Sequence, residues 1–174
     1  MIVLFLVMLI AGWQSGLRGA FLIGYDAYLC GFVVIIGLVR AVMARRARTN
    51  WDISDHKNRL LPLLVLTVIF GVNLVITNSI FHNTGLLNMH RLWFIWIIGF
   101  YLITLKTKIS GHISVLTLAS GQIIWWFGPA LTPVLVSIPL VAWSRVVLKR
   151  HTLVEVIGGF LYSLIFFIFI HYVG

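Results

Sequence analysis

His151 and Glu155 stand four residues apart, a spacing that puts both on one face of a helix. A carboxylate so placed can accept the Nδ1–H of the imidazole, fix the tautomer and leave Nε2 as a nucleophile or base. Glu155 is the only acidic residue after Asp55, and an acid inside an otherwise apolar helix needs a partner. His151 is the nearest one. The competing reading is an ordinary helix-start pair, with Glu155 satisfied by an arginine.

A second group, Ser110-Gly111-His112, reads as a helix N-terminus. Ser110 suits the N-cap, and Gly111 lets a ligand approach the backbone closely. The first-turn N–H groups and the helix dipole form an anion site there. His112 would stand in that turn, where it could protonate an oxyanion or leaving group. A third group, Asp52-Ile-Ser-Asp-His-Lys57-Asn-Arg59-Leu-Leu-Pro62, adds two cations. Taken singly, each group has a plain structural explanation: a helix-start pair, a Ser-Gly cap, a basic flank. Together they are the parts needed to hold a phosphate, attack it and protonate its leaving group, with cations and N–H groups stabilising the equatorial oxygens. No metal is expected, since the carboxylates are too few for a magnesium cage.

The elements that must carry these residues are membrane helices. Of 174 residues, 61% are hydrophobic and 10% charged, with 13 Lys or Arg against 4 Asp or Glu. A soluble domain of this length would carry about 25% charged residues, and disorder needs low hydrophobicity. One cysteine, Cys30, excludes a disulfide framework and reads as a small packing residue in an apolar run. A helical span needs about 20 apolar residues. Such stretches fall at Ile2–Leu22, Ala27–Ala44, Leu60–Ile80, Leu87–Leu105, Ile113–Phe127, Leu131–Val147 and Thr152–Tyr172. The first is interrupted by Gln14, Ser15 and Arg18, so the expectation is an all-α integral membrane bundle of six or seven transmembrane helices. Asp26 is expected in a tight turn between the first two. Gly12-x-x-x-Gly16 reads as a site of close helix packing. The N-terminus has no basic region ahead of its apolar run and does not read as a signal peptide.

One side of this bundle receives Arg45–Arg59, Lys106–His112 and Arg145–His151, and with Arg40 it holds eleven of the thirteen basic residues. The positive-inside rule makes it cytoplasmic. Removing Lys57, Arg59, Lys106 and Arg145, the four cations suspected of gripping an anion, leaves seven and the same sidedness. The chain therefore reads as one transmembrane domain over 1–174, with N-terminal spans over 1–44 and a motif-bearing core over 52–174, in the plasma membrane of a prokaryote. His82, His90 and His171 read as interfacial, and the Trp residues at 93, 96, 125, 126 and 143 as interface anchors.

The pattern resembles the type 2 phosphatidic acid phosphatase superfamily, whose members carry Lys-x6-Arg-Pro, Pro-Ser-Gly-His and Ser-Arg-x5-His-x3-Asp in that order. This chain has Ser110-Gly111-His112, then Ser144-Arg145, five residues, His151, three residues and Glu155. Ile109 stands where the family has Pro, and Glu155 where it has Asp. In the first motif Arg59 fits the Arg position, but Pro62 follows three residues later, and Asp52 stands where the family has Lys. The resemblance covers roughly Asp52 to the C-terminus.

The resemblance implies that His151 attacks phosphorus and forms a phosphohistidine, that Glu155 orients it, and that His112 serves the leaving group and then water. It implies that Arg59, Arg145 and Lys57 bind the phosphoryl oxygens, with Lys106 a further candidate, and that Ser110 and Gly111 contribute hydroxyl and backbone donors. A phosphate site walled by apolar helices suits an amphiphile whose tail stays in lipid: phosphatidic acid, phosphatidylglycerol phosphate, or an isoprenyl phosphate or diphosphate. The expected partners are that lipid and the bilayer, with no cofactor and no nucleic acid. Two other readings stand beside it. One is a non-catalytic membrane subunit or lipid-binding protein that keeps the fold, and the other a transporter using Glu155 and His151 as a proton relay.

Overall fold

A computed structural model of the chain describes residues 2–47 and 56–172. These are mostly helical, with no strand among them. In chain order the helices are α1 (Ile2–Gln14), α2 (Gly19–Ala47), α3 (His56–Ile76) with a π-helical turn over Thr77–Phe81, α4 (Thr84–Lys106), α5 (Gly111–Phe127), a 3-10 segment over Pro129–Val136, α6 (Ser137–Val147) and α7 (Leu153–Tyr172). Five stretches among the described residues are long and apolar enough to cross a membrane: Gly19–Leu38, Leu60–Phe81, Thr84–Lys106, Pro129–Val147 and Leu153–His171. Their number and composition are compatible with an integral membrane protein.

The first break falls earlier than the sequence suggests. Asp26 lies inside α2, and the turn is at 15–18, with Gly16 within it at φ 85° and Gly19 just after it at φ 57°. Two glycines that can take left-handed backbone end and restart the helix, whereas Asp26 needs no such freedom. Arg18 closes α1, donating from Nη1 to the carbonyls of Trp13 and Leu17 at 2.9 and 2.7 Å.

The helices form two compact units. One is Met8–Leu105. Within it Gly12 packs beneath Tyr25, where an added Cβ would lie 2.6 Å from the ring. Asn83 caps α4, accepting the Leu86 N–H on Oδ1 at 2.9 Å, and its Nδ2 donates to the Ser15 carbonyl at 2.8 Å. Trp93 and Trp96 are buried in this unit and not interface anchors, and Trp96 stacks on Phe100. A tryptophan near a span end suits the interface by position alone, but the rotation of α4 turns both rings into the packing. His90 is buried as well, not interfacial. Cys30 is exposed on α2 and fills no packing gap.

The other unit comprises Lys106–Gly174 with Met1–Val7. Its frame is α5 lying parallel to α7. At one end the Ser110 N–H donates to the Glu155 carbonyl (2.9 Å), and one turn on Ser114 Oγ donates to the Gly159 carbonyl (2.9 Å). At the other end His171 Nε2 meets Gln122 Oε1 at 3.3 Å, and its ring stacks on Trp125. Helices inside lipid gain little from hydrophobicity and associate through close packing of small residues and interhelical hydrogen bonds. Gly159 supplies both: a Cβ there would sit 2.6 Å from the Ser110 carbonyl oxygen. Ile113, Ile138 and Val156 form the buried centre that joins α6 to the pair.

Candidate active site

The α6–α7 connection brings His151 to its position. Lys149 takes φ 52°, its N–H bonds the Val146 carbonyl (2.9 Å) and the Arg150 N–H bonds the Arg145 carbonyl (3.0 Å). This is a Schellman ending with a lysine in the place glycine usually holds. The His151 N–H joins the same Arg145 carbonyl at 3.3 Å, so the backbone of Arg145 fixes the start of the His151 segment. The Arg145 side chain is half-buried.

Thr152 then starts α7 with a capping box. Its Oγ1 accepts the Glu155 N–H at 3.3 Å, and Glu155 Oε2 accepts the Thr152 N–H at 3.3 Å. The same Oε2 lies 2.7 Å from His151 Nδ1 and 3.3 Å from Lys108 Nζ. A carboxylate can only accept, so Nδ1 donates and the neutral ring carries its lone pair on Nε2. His151 is buried, which holds the ring in this orientation. The carboxylate is therefore both a helix cap and the group that sets the histidine tautomer.

Lys108 spans the two helix starts, reaching Glu155 and also lying 3.5 Å from the Arg150 carbonyl. Ser110 occupies the N-cap of α5 with extended backbone (φ −79°, ψ 106°), but its hydroxyl makes no capping bond. That hydroxyl is buried without a hydrogen-bond partner. Gly111 opens the helix and His112 follows it, exposed, in the first turn. The N–H groups of a first turn have no carbonyl within reach in their own helix. The start of α5 thus offers oriented donors beside a buried hydroxyl, joined to Glu155 through the Ser110 N–H.

Of the residues singled out by sequence, the unit from Lys106 onward brings His151, Glu155, Ser110, Gly111, His112 and Arg145 to the ends of α5, α6 and α7 that face one another across these bonds. Lys106 closes α4 with an exposed side chain. Lys57 and Arg59 open α3, and their side chains lie outside the described residues, as do Asp52 and Asp55 altogether. Two contributors were missed. Thr152 was legible as the first residue of a Thr-x-x-Glu capping box, the sequence signature of a helix start. Lys108 carried no signal that separates it from Lys106. Among the described residues no three His, Cys, Asp or Glu side chains gather as a metal site would need.

The arrangement can bind an anion and act on it. The one carboxylate of this unit is engaged by His151, Thr152 and Lys108, so the acidic charge is used internally. Beside it lie the start of α5 and the basic residues of the α6–α7 connection, with His151 held against Glu155. Comparison with family models, curated proteins and solved structures yields no match to this chain.

Proposed function

We propose that the chain is an integral membrane phosphatase that hydrolyses a lipid phosphate, or an isoprenyl phosphate or diphosphate, without a metal and through a phosphohistidine on His151. The observation that carries this reading is the Glu155 carboxylate at 2.7 Å from His151 Nδ1, beside a helix N-terminus whose cap hydroxyl is buried and unpartnered. The resemblance of Ser110-Gly111-His112 and Ser144-Arg145-x5-His151-x3-Glu155 to the type 2 phosphatidic acid phosphatase motifs supports it.

The chemistry follows in two displacements. His151 Nε2 attacks the terminal phosphorus, an N–P bond forms, and the bond from that phosphorus to its leaving oxygen breaks: the lipid oxygen of a monophosphate ester, or the bridging oxygen of a diphosphate. His112 donates a proton to the departing oxygen. The imidazolium character that develops on His151 is stabilised by Glu155 across Nδ1–H, as in other carboxylate-oriented histidines. Water, losing its proton to His112, then attacks phosphorus, and the N–P bond breaks to release phosphate. Arg145, Ser110 and the first-turn N–H of Gly111 meet the equatorial oxygens.

The same reading sets the membrane placement. The α5 helix has 17 residues and runs beside α7 from Ser110–Glu155 to Gln122–His171, a register that favours counting it as a sixth crossing; α1, with 13 residues, would make a seventh only as a short one. With the basic segments inward, the site faces the cytoplasm of a prokaryotic cell. The test is phosphate release by protein in lipid vesicles, with phosphatidic acid, phosphatidylglycerol phosphate, and isoprenyl phosphate and diphosphate as substrates and EDTA present. Release that is blocked by vanadate and abolished in both His151→Ala and His112→Ala is expected. No release by the wild type on any of these substrates sinks the phosphatase and favours a lipid-binding subunit.

A further inference from the structure

Thr152 takes no part in the proposed bond-making, yet it makes two hydrogen bonds to Glu155, the group that orients His151. Its Oγ1 accepts the Glu155 N–H, and its own N–H donates to Glu155 Oε2, both at 3.3 Å. Its carbonyl accepts the Val156 N–H at 3.1 Å, in the first turn of α7. The mechanism uses none of these contacts, and all of them bear on where the carboxylate can lie.

The arm of a glutamate has more torsions to fix than a shorter side chain, and ordering it costs entropy accordingly. The bond to His151 Nδ1 sets where Oε2 ends, at 2.7 Å, but not the path of the arm. Lys108 adds a contact at 3.3 Å, from a long and flexible stem. Thr152 differs from both. Its N–H belongs to the stretch of backbone that carries the imidazole, and the His151 N–H ties that stretch to the Arg145 carbonyl at 3.3 Å. Its hydroxyl holds the Glu155 N–H, and with it the Cα from which the arm starts. One residue thus holds both ends of the arm.

Burial makes that hold matter. The His151 side chain is 3% exposed and the Glu155 side chain 16%, so little water stands ready to replace the carboxylate at Nδ1 if it swings away. The proton of a free neutral imidazole favours Nε2, and only a fixed acceptor at Nδ1 draws it to the other nitrogen. We infer that Thr152 is a positioning residue for His151: it acts through Glu155, keeps the carboxylate in line with Nδ1, and so leaves Nε2 unprotonated. That this bare nitrogen attacks phosphorus rests on the phosphatase reading; the hold of Thr152 on the tautomer does not.

Two measurements test this, one of them independent of catalysis. The first is solid-state NMR of 15N-His-labelled protein in vesicles at about pH 9, above the usual imidazole range, with His151→Gln to assign the signals. Wild-type His151 is expected to show a protonated Nδ1 and a bare Nε2. Thr152→Val removes the hydroxyl and keeps the shape, and should move a measurable share of the ring to the other tautomer. Thr152→Ala, a second deletion, should do the same, and Thr152→Ser should restore the wild-type spectrum. A residue that only caps α7 leaves the tautomer alone, so unchanged spectra in both deletions, or a wild-type ring protonated on Nε2, overturn the inference. The second is turnover of the lipid phosphates. Thr152→Val should lower kcat about tenfold with KM within about twofold, and Thr152→Ser should recover most of the loss. In a Glu155→Ala background, Thr152→Val should change kcat by less than about twofold, because its effect passes through the carboxylate. Equal losses in the two backgrounds overturn the inference. A wild type that turns over nothing overturns the phosphatase instead, and the tautomer then decides the role of Thr152.

Discussion

His151 Nδ1 lies 2.7 Å from Glu155 Oε2, and the same oxygen closes the capping box of α7, the helix that Glu155 belongs to and His151 immediately precedes. One carboxylate thus sets the helix start and the histidine tautomer together. Glu155→Gln keeps the shape and removes the charge that steadies the imidazolium. Loss of an orienting carboxylate costs up to about 10^4 in kcat elsewhere, and a fall of order 10^3 is expected here. Glu155→Asp keeps the charge on a shorter arm and should lose about tenfold, in the range of other changes one shell out from the chemistry. Single-turnover phosphate release measures both. Activity of the glutamine variant within threefold of wild type would remove Glu155 from the chemistry.

Lys108 Nζ touches Glu155 and the Arg150 carbonyl, so its charge is spent on holding the carboxylate and not on substrate. Lys108→Met is expected to lower kcat by about tenfold while leaving KM within about twofold, and Lys108→Arg should restore most of the loss. If KM rises instead and kcat holds, Lys108 binds the phosphate directly.

Gly159 fixes how closely α5 and α7 approach. An alanine Cβ would lie 2.6 Å from the Ser110 carbonyl oxygen, a backbone atom that cannot swing aside. Overpacking of this kind costs about 1–3 kcal/mol. Gly159→Ala should therefore lower stability by that amount in unfolding titrations in micelles. It should also lower activity, because the Ser110–Glu155 bond is strained with it. At Gly158 the nearest atom is a side-chain methyl group of Ile109 at 3.0 Å, which can shift, so Gly158→Ala should cost less. Equal effects at the two positions would contradict the backbone-contact argument.

What the sequence made legible, and what it hid, divides along local and non-local lines. The pairing of His151 with Glu155 and the place of Ser110 at the start of α5 depend on neighbours within one helix turn and were legible, although His151 lies just ahead of α7 and not on it, and the Ser110 hydroxyl makes no capping bond. The turn at Gly16 and Gly19 was hidden because hydropathy runs on through it, while Asp26, a good turn former, sits mid-helix where α2 tolerates it. Trp93, Trp96 and His90 were misjudged because position along a span does not fix rotation about its axis. Lys108 could not be told from Lys106 because the Ser110 N–H bond to the Glu155 carbonyl, a contact 45 residues apart in sequence, sets which lysine turns inward. The roles of Lys57 and Arg59 lie with side chains outside the described residues.

Lys149 sits at φ 52°, a conformation that costs a residue with a Cβ about 1–2 kcal/mol. Glycine escapes this but loses about 0.5–1 kcal/mol of chain entropy on folding. Lys149→Gly should thus gain about 0.5–1 kcal/mol net, with activity within about twofold, since the Lys149 side chain is exposed. A large fall in activity without loss of stability would instead give the Lys149 charge a part in binding substrate.

Ser110 separates a structural from a binding role by the sign of two effects. Its hydroxyl is buried and makes no hydrogen bond within the protein, so Ser110→Ala removes an unsatisfied group and should leave stability equal or higher. A phosphate held at the start of α5 would accept that hydroxyl, and a hydrogen bond to a charged group is worth about 1.5–3 kcal/mol, or roughly 10- to 150-fold in an equilibrium constant. Vanadate inhibition and KM for the lipid phosphate should both weaken by a factor in that range. A variant that is less stable but binds vanadate as the wild type does would mark Ser110 as a cap and nothing more, and would move the anion site away from the α5 N-terminus.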